Sequence, residues 1–186
     1  MSLFTSDAMI ATVGQKAPGF TLKNLDGKQV NLSDFSGKVV VLEWMNEGCP
    51  FVKGHYELGD VQRLQKEYAA KGVVWLTINS TRPDHPEAFN ASMSKEQLAA
   101  WKSAATDNLM DEDRTVGHLY NAKTTPHMFI IDANGVLRYS GAMDDDARGR
   151  GKNATVNYIK SALDEIIAGK AVTISSTTPY GCSVKY

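Results

Sequence analysis

The sequence predicts an α/β fold in which a central mixed β-sheet is flanked by helices. An apolar run at residues 39–42 leads into a Cys-Pro pair that opens a helical pattern, as expected for a buried strand followed by a helix. A second apolar run at residues 73–78 follows that helix and predicts a parallel partner strand in a right-handed βαβ unit. Later in the chain, Asn134-Gly135 separates two more apolar runs, which is typical of a β-hairpin.

The length and composition predict one domain. The 186 residues, of which 42% are hydrophobic, suffice for one full core and do not require a second. We expect a flexible N-terminal arm at residues 1–13, a folded domain at residues 14–170, and a C-terminal tail at residues 171–186 that carries Cys182.

The first half of that domain has clear turn and helix signals. Residues 20–32 alternate between apolar and polar and contain Asp26-Gly27, so they predict an N-terminal β-hairpin. The helical pattern after the Cys-Pro pair contains Gly54 and Gly59, each of which costs about 1 kcal/mol relative to alanine inside a helix. We therefore expect a kink or break before this pattern ends at Gly72.

The second half contains three further helical patterns and one short strand pattern. A capping-box pattern at residues 94–97 predicts the start of a helix, residues 108–111 predict a short strand, and residues 114–120 predict a short helix. Asn153 is the expected N-cap of a last helix that ends at Gly169.

The charge pattern excludes several classes of function. The 20 basic and 21 acidic residues are interspersed, so neither nucleic acid nor an anionic membrane is an expected partner. The four histidines and two cysteines lack metal-ligand spacing, and the acidic run at residues 144–146 is interpreted as solvated, so neither a metal nor another cofactor is expected. The first residues resemble no signal peptide, which predicts a cytoplasmic protein, or a periplasmic or secreted one if a signal peptide was removed.

Cys49 is the first candidate for chemistry. Pro50 suits the first position of a helix, which leaves Cys49 at the helix N-terminus, where unpaired N–H groups favour an anion. Such a position promotes a reactive thiolate, although a buried structural cysteine is the alternative. Lys53, one turn into the helix, either lowers the thiol pKa or is simply solvated.

Five segments in this order and spacing resemble the thioredoxin fold: residues 17–22, residues 37–41, Cys49-Pro50, Thr125-Pro126 and residues 129–135. More narrowly, they resemble the redoxin branch that includes the alkyl hydroperoxide reductase and thiol-specific antioxidant proteins (AhpC/TSA). The resemblance covers residues 14 to about 169. It implies a thioredoxin-like three-layer sandwich with an N-terminal β-hairpin.

The resemblance also implies functional residues. Cys49, followed by Pro50, would be the reacting thiol, and Pro126 would be a cis-proline that faces it across a cleft. Backbone groups of Thr125 would then serve as a template for an extended peptide or a small disulfide. Glu43 stands six residues before the cysteine, where the thioredoxin pattern has a buried acid. Glu43 is then either a proton relay with a raised pKa or a glutamate that points outward from the strand.

Two departures from the thioredoxin and peroxiredoxin motifs restrict the reactions that we expect. Val52 occupies the place of the second cysteine of a Cys-x-x-Cys motif, which excludes a local dithiol cycle. Leu42 and Asn46 stand where the peroxiredoxin motif has its proline and its hydroxyl residue, and Lys123 is the nearest cation before the strand where an arginine is expected. Fast peroxide reduction is therefore not expected. Asn46 and Asn79 follow parallel strands at their carboxyl ends, where substrates gather, so we expect both to bind substrate.

Cys182 is the only internal thiol that could complete a redox cycle. A tail flanked by Gly181 could fold back, because closing a long loop costs little more than closing a short one. Cys182 would then resolve an oxidised Cys49 within the chain or across a homodimer. Alternatively it only packs the tail, since no neighbour in the sequence promotes its reactivity.

These observations predict a thiol-based oxidoreductase with Cys49 as nucleophile. It would be an antioxidant of the peroxiredoxin type or a thiol-disulfide exchange protein, acting on a peroxide, a small disulfide or a protein disulfide and recycled by an external thiol reductant. A redox-inert binding or scaffold module is one alternative. An exported disulfide reductase or isomerase is another.

Overall fold

The structure is a computed structural model that describes residues 9–148 and 150–186. The strands are β1 (Thr21–Asn24), β2 (Gln29–Asn31), β3 (Val40–Trp44), β4 (Val74–Asn79), β5 (Asp107–Met110), β6 (Thr124–Thr125), β7 (His127–Ile131), β8 (Leu137–Gly141) and β9 (Cys182–Ser183). The helices are α1 (Pro50–Leu58), α2 (Asp60–Ala69), α3 (Ala91–Ala100), α4 (Thr115–Leu119) and α5 (Tyr158–Ile167). Seven strands form a mixed sheet in the order β2-β1-β5-β4-β3-β7-β8, and β6 pairs with β9 separately.

Strand β3 lies inside this sheet and directs the chain to the site. It pairs in parallel with β4 and antiparallel with β7. Alternate residues of β3 enter opposite layers of the core, Val41 on one face and Leu42 on the other, and every residue of the strand is buried. The predicted βαβ unit, the hairpin of β1 and β2 and the Asn-Gly hairpin of β7 and β8 are confirmed.

The helix after Cys49 breaks at one of the two expected glycines. Gly59 adopts a left-handed conformation with φ of 77°, ends α1 and separates it from α2. Gly54 stays within α1, where a Cβ atom would lie 3.3 Å from the Arg150 side chain. The prediction of a break is therefore confirmed at Gly59 and wrong at Gly54.

Two helices begin at other residues than the sequence predicts. Helix α3 starts three residues before the expected capping box, because the Asn90 side chain accepts a hydrogen bond from the N–H of Met93, and Ser94 is buried within the helix. Helix α5 starts later than expected, because Asn157 rather than Asn153 accepts from the N–H of Lys160. In both cases the cap is an asparagine with an extended backbone conformation, and not the residue that the sequence predicts.

The tail returns across the domain to the start of β7. Backbone hydrogen bonds join Ser140, near the end of β8, to Ser175 and Thr177 of the tail, and β9 pairs antiparallel with β6. The Tyr186 hydroxyl donates to the carbonyl oxygen of Ala122. Residues 1–8 of the expected N-terminal arm lie outside the described residues. None of the described helices has the length and apolar character needed to cross a membrane.

Candidate functional site

Cys49 is positioned by the end of β3 and the beginning of α1. It is the N-cap residue of α1, Pro50 is the first helical residue, and the cysteine is 2% exposed. Its Sγ atom lies 3.0 Å from the carbonyl oxygen of Thr125 and 2.8 Å from Sγ of Cys182. The thiol therefore faces β6 and the tail rather than solvent.

Cys182 reaches this position through backbone pairing. In the two-stranded sheet, Cys182 is the register partner of Thr125. Gly181 has φ of 145°, and a Cβ atom on it would lie 2.7 Å from the Thr125 carbonyl carbon and closer still to its oxygen, so only glycine allows this approach. Both cysteines are free thiols, and Cys182 is partly exposed. The pairing of β6 with β9 thus brings a second thiol to Cys49.

The environment shifts the pKa values of the two thiols in opposite directions. Burial opposes the charged form of Cys49, but hydrogen bonds from the Cys182 thiol, the Thr125 side chain and the N–H groups of Val52 and Cys182 lower its pKa below the ordinary value. Burial and the neighbouring Cys49 raise the pKa of Cys182 to about 12. Cys49 is therefore the thiol of the pair that ionises first, and Cys182 ionises at higher pH.

Thr125 contacts the Cys49 sulfur atom, and two further predicted residues, Pro126 and Pro50, adjoin Thr125 and Cys49 in the chain. The Thr125-Pro126 peptide bond is cis, and both residues are buried. Pro50 is exposed, at the start of α1. Lys53 forms an ion pair with Glu57, and its side chain is 60% exposed, so it is solvated rather than turned to the thiol.

The side chains of Asn46 and Asn79 form hydrogen bonds within the loops that follow β3 and β4. The Asn46 side chain accepts from the N–H of Gly48 and donates to Thr81 and to the Glu87 carbonyl oxygen, while it also borders the narrow space beside Cys49. The Asn79 side chain donates to Glu47 and accepts from the N–H of Thr81. These bonds occupy both amides in the present arrangement, so substrate binding by either remains a prediction.

Glu43 is a buried acid and does not point outward. Its Oε2 atom accepts hydrogen bonds from Trp75 Nε1 at 2.7 Å and from the Tyr56 hydroxyl at 3.2 Å. Burial raises its pKa to about 7, although these hydrogen bonds oppose the rise. Among the described residues, no hydrogen bond joins Glu43 to either cysteine, so a proton-relay role would require a carrier.

Tyr180 is a site residue that the sequence analysis did not identify. Its hydroxyl donates to Asp144 Oδ1 and lies 3.1 Å from His55 Nε2. These partners are 36 and 125 residues away, so no local pattern signals the contact. Tyr180 fixes the tail two residues before Cys182.

The two histidines near the site are both packed in the interior. Burial, with a smaller contribution from Lys123, lowers the pKa of His127 to about 4, so this imidazole is neutral. His55 is 1% exposed and lies between Asp60 and Asp144. Within the described parts of the chain, neither His55 nor His127 forms a hydrogen bond with a sulfur atom.

Several known proteins resemble this chain in sequence or in fold. The thiol-disulfide oxidoreductase ResA of Geobacillus kaustophilus is 29% identical over 137 residues, which cover 74% of this chain and 72% of ResA. The putative peroxiredoxin bcp of Helicobacter pylori is 31% identical over 130 residues, covering 68% of this chain and 76% of bcp. The crystal structure of a hypothetical protein from Sinorhizobium meliloti has a TM-score of 0.85 at 26% identity, with 94% of each chain covered.

The match to a family model covers most of the predicted domain. The model of the AhpC/TSA family matches residues 13–140, which include β1 to β7, Cys49 and the cis-proline. The names of these two relatives, a thiol-disulfide oxidoreductase and a putative peroxiredoxin, agree with a thiol as the reacting group. The chain belongs to the AhpC/TSA family and is a thiol-dependent oxidoreductase.

Proposed function

We propose that the protein is a thiol-disulfide oxidoreductase whose redox couple is Cys49 and Cys182 of the same chain. One observation carries the proposal: the two Sγ atoms lie 2.8 Å apart. A disulfide has an S–S length of about 2.05 Å, so a small side-chain movement suffices for bond formation. Val52 excludes the local dithiol cycle, and Cys182 supplies the missing thiol from the tail without a homodimer.

The proposed cycle transfers two electrons to a disulfide substrate. The Cys49 thiolate attacks one substrate sulfur, the substrate S–S bond breaks, and the leaving thiolate takes a proton from the solvent. Cys182 then loses its proton and attacks Cys49, which forms the Cys49–Cys182 disulfide and releases the second substrate thiol. An external thiol reductant restores both cysteines. The different pKa values of the pair favour Cys49 as the attacking thiol and Cys182 as the resolving thiol.

The surroundings of Cys49 favour a disulfide over a peroxide as the substrate. The peroxiredoxin motif has a hydroxyl residue three positions before the cysteine, and this chain has Asn46 there. The Asn46 side chain forms hydrogen bonds with Gly48, Thr81 and Glu87. Peroxide reduction is the second candidate, because the pair could equally resolve a sulfenic acid and one relative is a putative peroxiredoxin. The proximity of the thiols argues against a redox-inert scaffold.

Substrate access requires the tail to move. Cys49 is 2% exposed, and the space that it shares with Cys182 is too narrow for a water molecule. Strand β9 also occupies the free edge of β6, beside the cis-proline. We therefore propose that residues 171–186 detach to admit the substrate and return to deliver Cys182.

The test uses intact mass spectrometry and peptide mapping of the reduced protein. Treatment with oxidised glutathione should remove two hydrogen atoms from the chain and produce a peptide linked through Cys49 and Cys182. Cys182→Ser should instead stop at one glutathionyl group on Cys49. Cys49→Ser, the matched control, should acquire an adduct far more slowly, because burial, the largest cause of the raised pKa of Cys182, acts without Cys49.

The same experiment separates the candidate functions. A Cys49 that acquires no adduct, or that links to Cys182 of a second chain only, contradicts the proposed couple. Oxidation by hydrogen peroxide that is much faster than by oxidised glutathione, with a sulfenic acid trapped in Cys182→Ser, would assign the peroxidase activity instead. Equal reactivity of both single variants would indicate two ordinary thiols.

A further inference from the structure

A buried cluster of three potential metal ligands lies outside the cysteine pair. His55 on α1, Asp60 at the start of α2 and Asp144 after β8 form this His55 cluster. His55 Nδ1 lies 3.1 Å from Asp60 Oδ2 and 3.9 Å from Asp144 Oδ2, and the three atoms all lie within 4.8 Å of one another. His55 and Asp144 are each 1% exposed, so the interpretation of the acidic run at residues 144–146 as solvated is wrong at Asp144.

One oxygen of the cluster has no hydrogen-bond partner. Asp144 Oδ2 is buried and unpartnered among the described residues. A proton on His55 Nδ1 can serve Asp60 at 3.1 Å but leaves Asp144 Oδ2 unsatisfied at 3.9 Å. Burial of an unpartnered carboxylate oxygen is unfavourable, whereas a cation between the three atoms would satisfy all of them at once.

The outer hydrogen bonds orient each ligand toward the centre. Asp60 Oδ1 accepts from the N–H of Val61, and Asp144 Oδ1 accepts from the N–H of Asp146 and the Tyr180 hydroxyl, so each carboxylate leaves its Oδ2 atom for the cluster. Because the Tyr180 proton goes to Asp144, the Tyr180 oxygen accepts from His55 Nε2. With the proton on Nε2 held by Tyr180, a metal that displaces the Nδ1 proton would find the Nδ1 lone pair directed at the carboxylates, and outer-shell bonds of this kind are typical of metal sites.

The backbone closes over this arrangement at Gly151. A Cβ atom there would lie 2.8 Å from both His55 Nδ1 and Asp144 Oδ2, so no larger residue fits. We propose that the His55 cluster binds one divalent first-row transition ion through one nitrogen and two carboxylate oxygens. Imidazole together with carboxylates suits the ions from Mn²⁺ to Zn²⁺ better than Ca²⁺ or Mg²⁺. Ligands of Zn²⁺ at about 2.0–2.2 Å lie roughly 3–3.5 Å apart, so only modest side-chain movement is needed.

The experiment measures Zn²⁺ binding in the full chain with Cys49→Ser and Cys182→Ser, because thiolates also bind Zn²⁺. Equilibrium dialysis with metal analysis should find one Zn²⁺ per chain. Asp144→Asn and Asp60→Asn should each abolish it. Tyr180→Phe, which removes only the two outer hydrogen bonds of the Tyr180 hydroxyl, should weaken binding by about 10- to 100-fold. Asp84→Asn, whose carboxylate is 81% exposed elsewhere on the surface, is the matched control and should bind normally.

Two further measurements keep the result interpretable. Circular dichroism identifies any variant that fails to fold, and the ¹⁵N resonances of His55 in the doubly substituted chain show whether Zn²⁺ binds at Nδ1. Absence of saturable binding, or binding that persists in both Asn variants, overturns the proposal. An unmoved His55 resonance at saturating Zn²⁺ overturns it as well. Because the thiols are absent, none of these results bears on the proposed redox couple.

Discussion

Cys182 Sγ lies 2.8 Å from Cys49 Sγ, although the two residues are 133 positions apart in the chain. The contact depends on the antiparallel pairing of Cys182 with Thr125 and on the glycine that precedes Cys182. It joins a thiol of lowered pKa to one of raised pKa. Each part of this relationship leads to a measurement.

The two thiols should titrate separately. In the reduced protein, thiolate absorbance in the ultraviolet should show Cys49 ionising below the pH of an ordinary thiol and Cys182 ionising only near pH 12. Cys182→Ala removes the hydrogen bond from the Cys182 thiol, so the pKa of Cys49 should rise. Cys182→Ser keeps a donor and should raise it less. A joint transition of both thiols near the ordinary value would contradict this electrostatic division.

Gly181→Ala should separate the cysteines without unfolding the domain. A Cβ atom there would lie 2.7 Å from the Thr125 carbonyl carbon, in a strained backbone region that costs about 1–3 kcal/mol. Formation of the Cys49–Cys182 disulfide should slow about 10-fold or more, as followed by alkylation and mass spectrometry. Gly37→Ala also places alanine at a positive φ, but with open space around it, and should leave this rate unchanged. Unaltered kinetics in Gly181→Ala would show that the pairing of β6 and β9 is dispensable.

Thr177→Val should loosen the tail and expose Cys49. The Thr177 hydroxyl bonds to the Tyr139 hydroxyl at 2.6 Å and accepts from the N–H of Ala142 at 2.8 Å. The Tyr139 hydroxyl keeps its bond to the Ala142 carbonyl oxygen, but the buried N–H of Ala142 loses its partner, at about 1–3 kcal/mol. Alkylation of Cys49 should therefore accelerate about 10-fold. The control is Thr173→Val, which removes an exposed hydroxyl bond to Glu165. Equal alkylation rates in both variants would mean that the tail does not cover the thiol.

Glu43→Gln should stabilise the protein at high pH. The pKa of Glu43 is about 7 in the folded protein against 4.5 ordinarily, so the folded state binds this proton more tightly and loses stability as pH rises from about 4.5 through 7. At about 1.4 kcal/mol for each pKa unit, the loss is about 3 kcal/mol. Urea unfolding should show that the stability gained by Glu43→Gln is small at about pH 4 and largest at about pH 8.

The exposed Glu57→Gln serves as the control for this experiment and should show no such trend. A pH-independent difference between Glu43→Gln and the unsubstituted protein would mean that burial does not perturb this carboxyl group. If Glu43 also relays protons, the substitution should in addition alter the pH profile of Cys49–Cys182 disulfide formation. An unchanged profile would limit Glu43 to a structural role.

Local patterns in the sequence determined most of the architecture. Alternation and apolar runs identified the strands, and Pro50 after Cys49 identified the helix N-terminus at which Cys49 lies, because these signals act within a few residues. Helix starts were less secure. Asn90 and Asn157 cap α3 and α5, whereas the sequence pattern pointed to Ser94 and Asn153. Both kinds of residue are common at helix N-termini, so the sequence alone does not distinguish between neighbouring candidates.

What the sequence determined by itself was a candidate thiol nucleophile in a redoxin framework without a local partner. Only the tertiary structure placed Cys182 beside Cys49, because strand pairing between β6 and β9 depends on the return path of the tail and not on residues beside the cysteine. The same holds for the His55 cluster, whose ligands come from α1, α2 and the segment after β8. Contacts of this kind do not appear as a periodic pattern in the sequence, because the tertiary fold sets the distance between the groups and their separation along the chain does not.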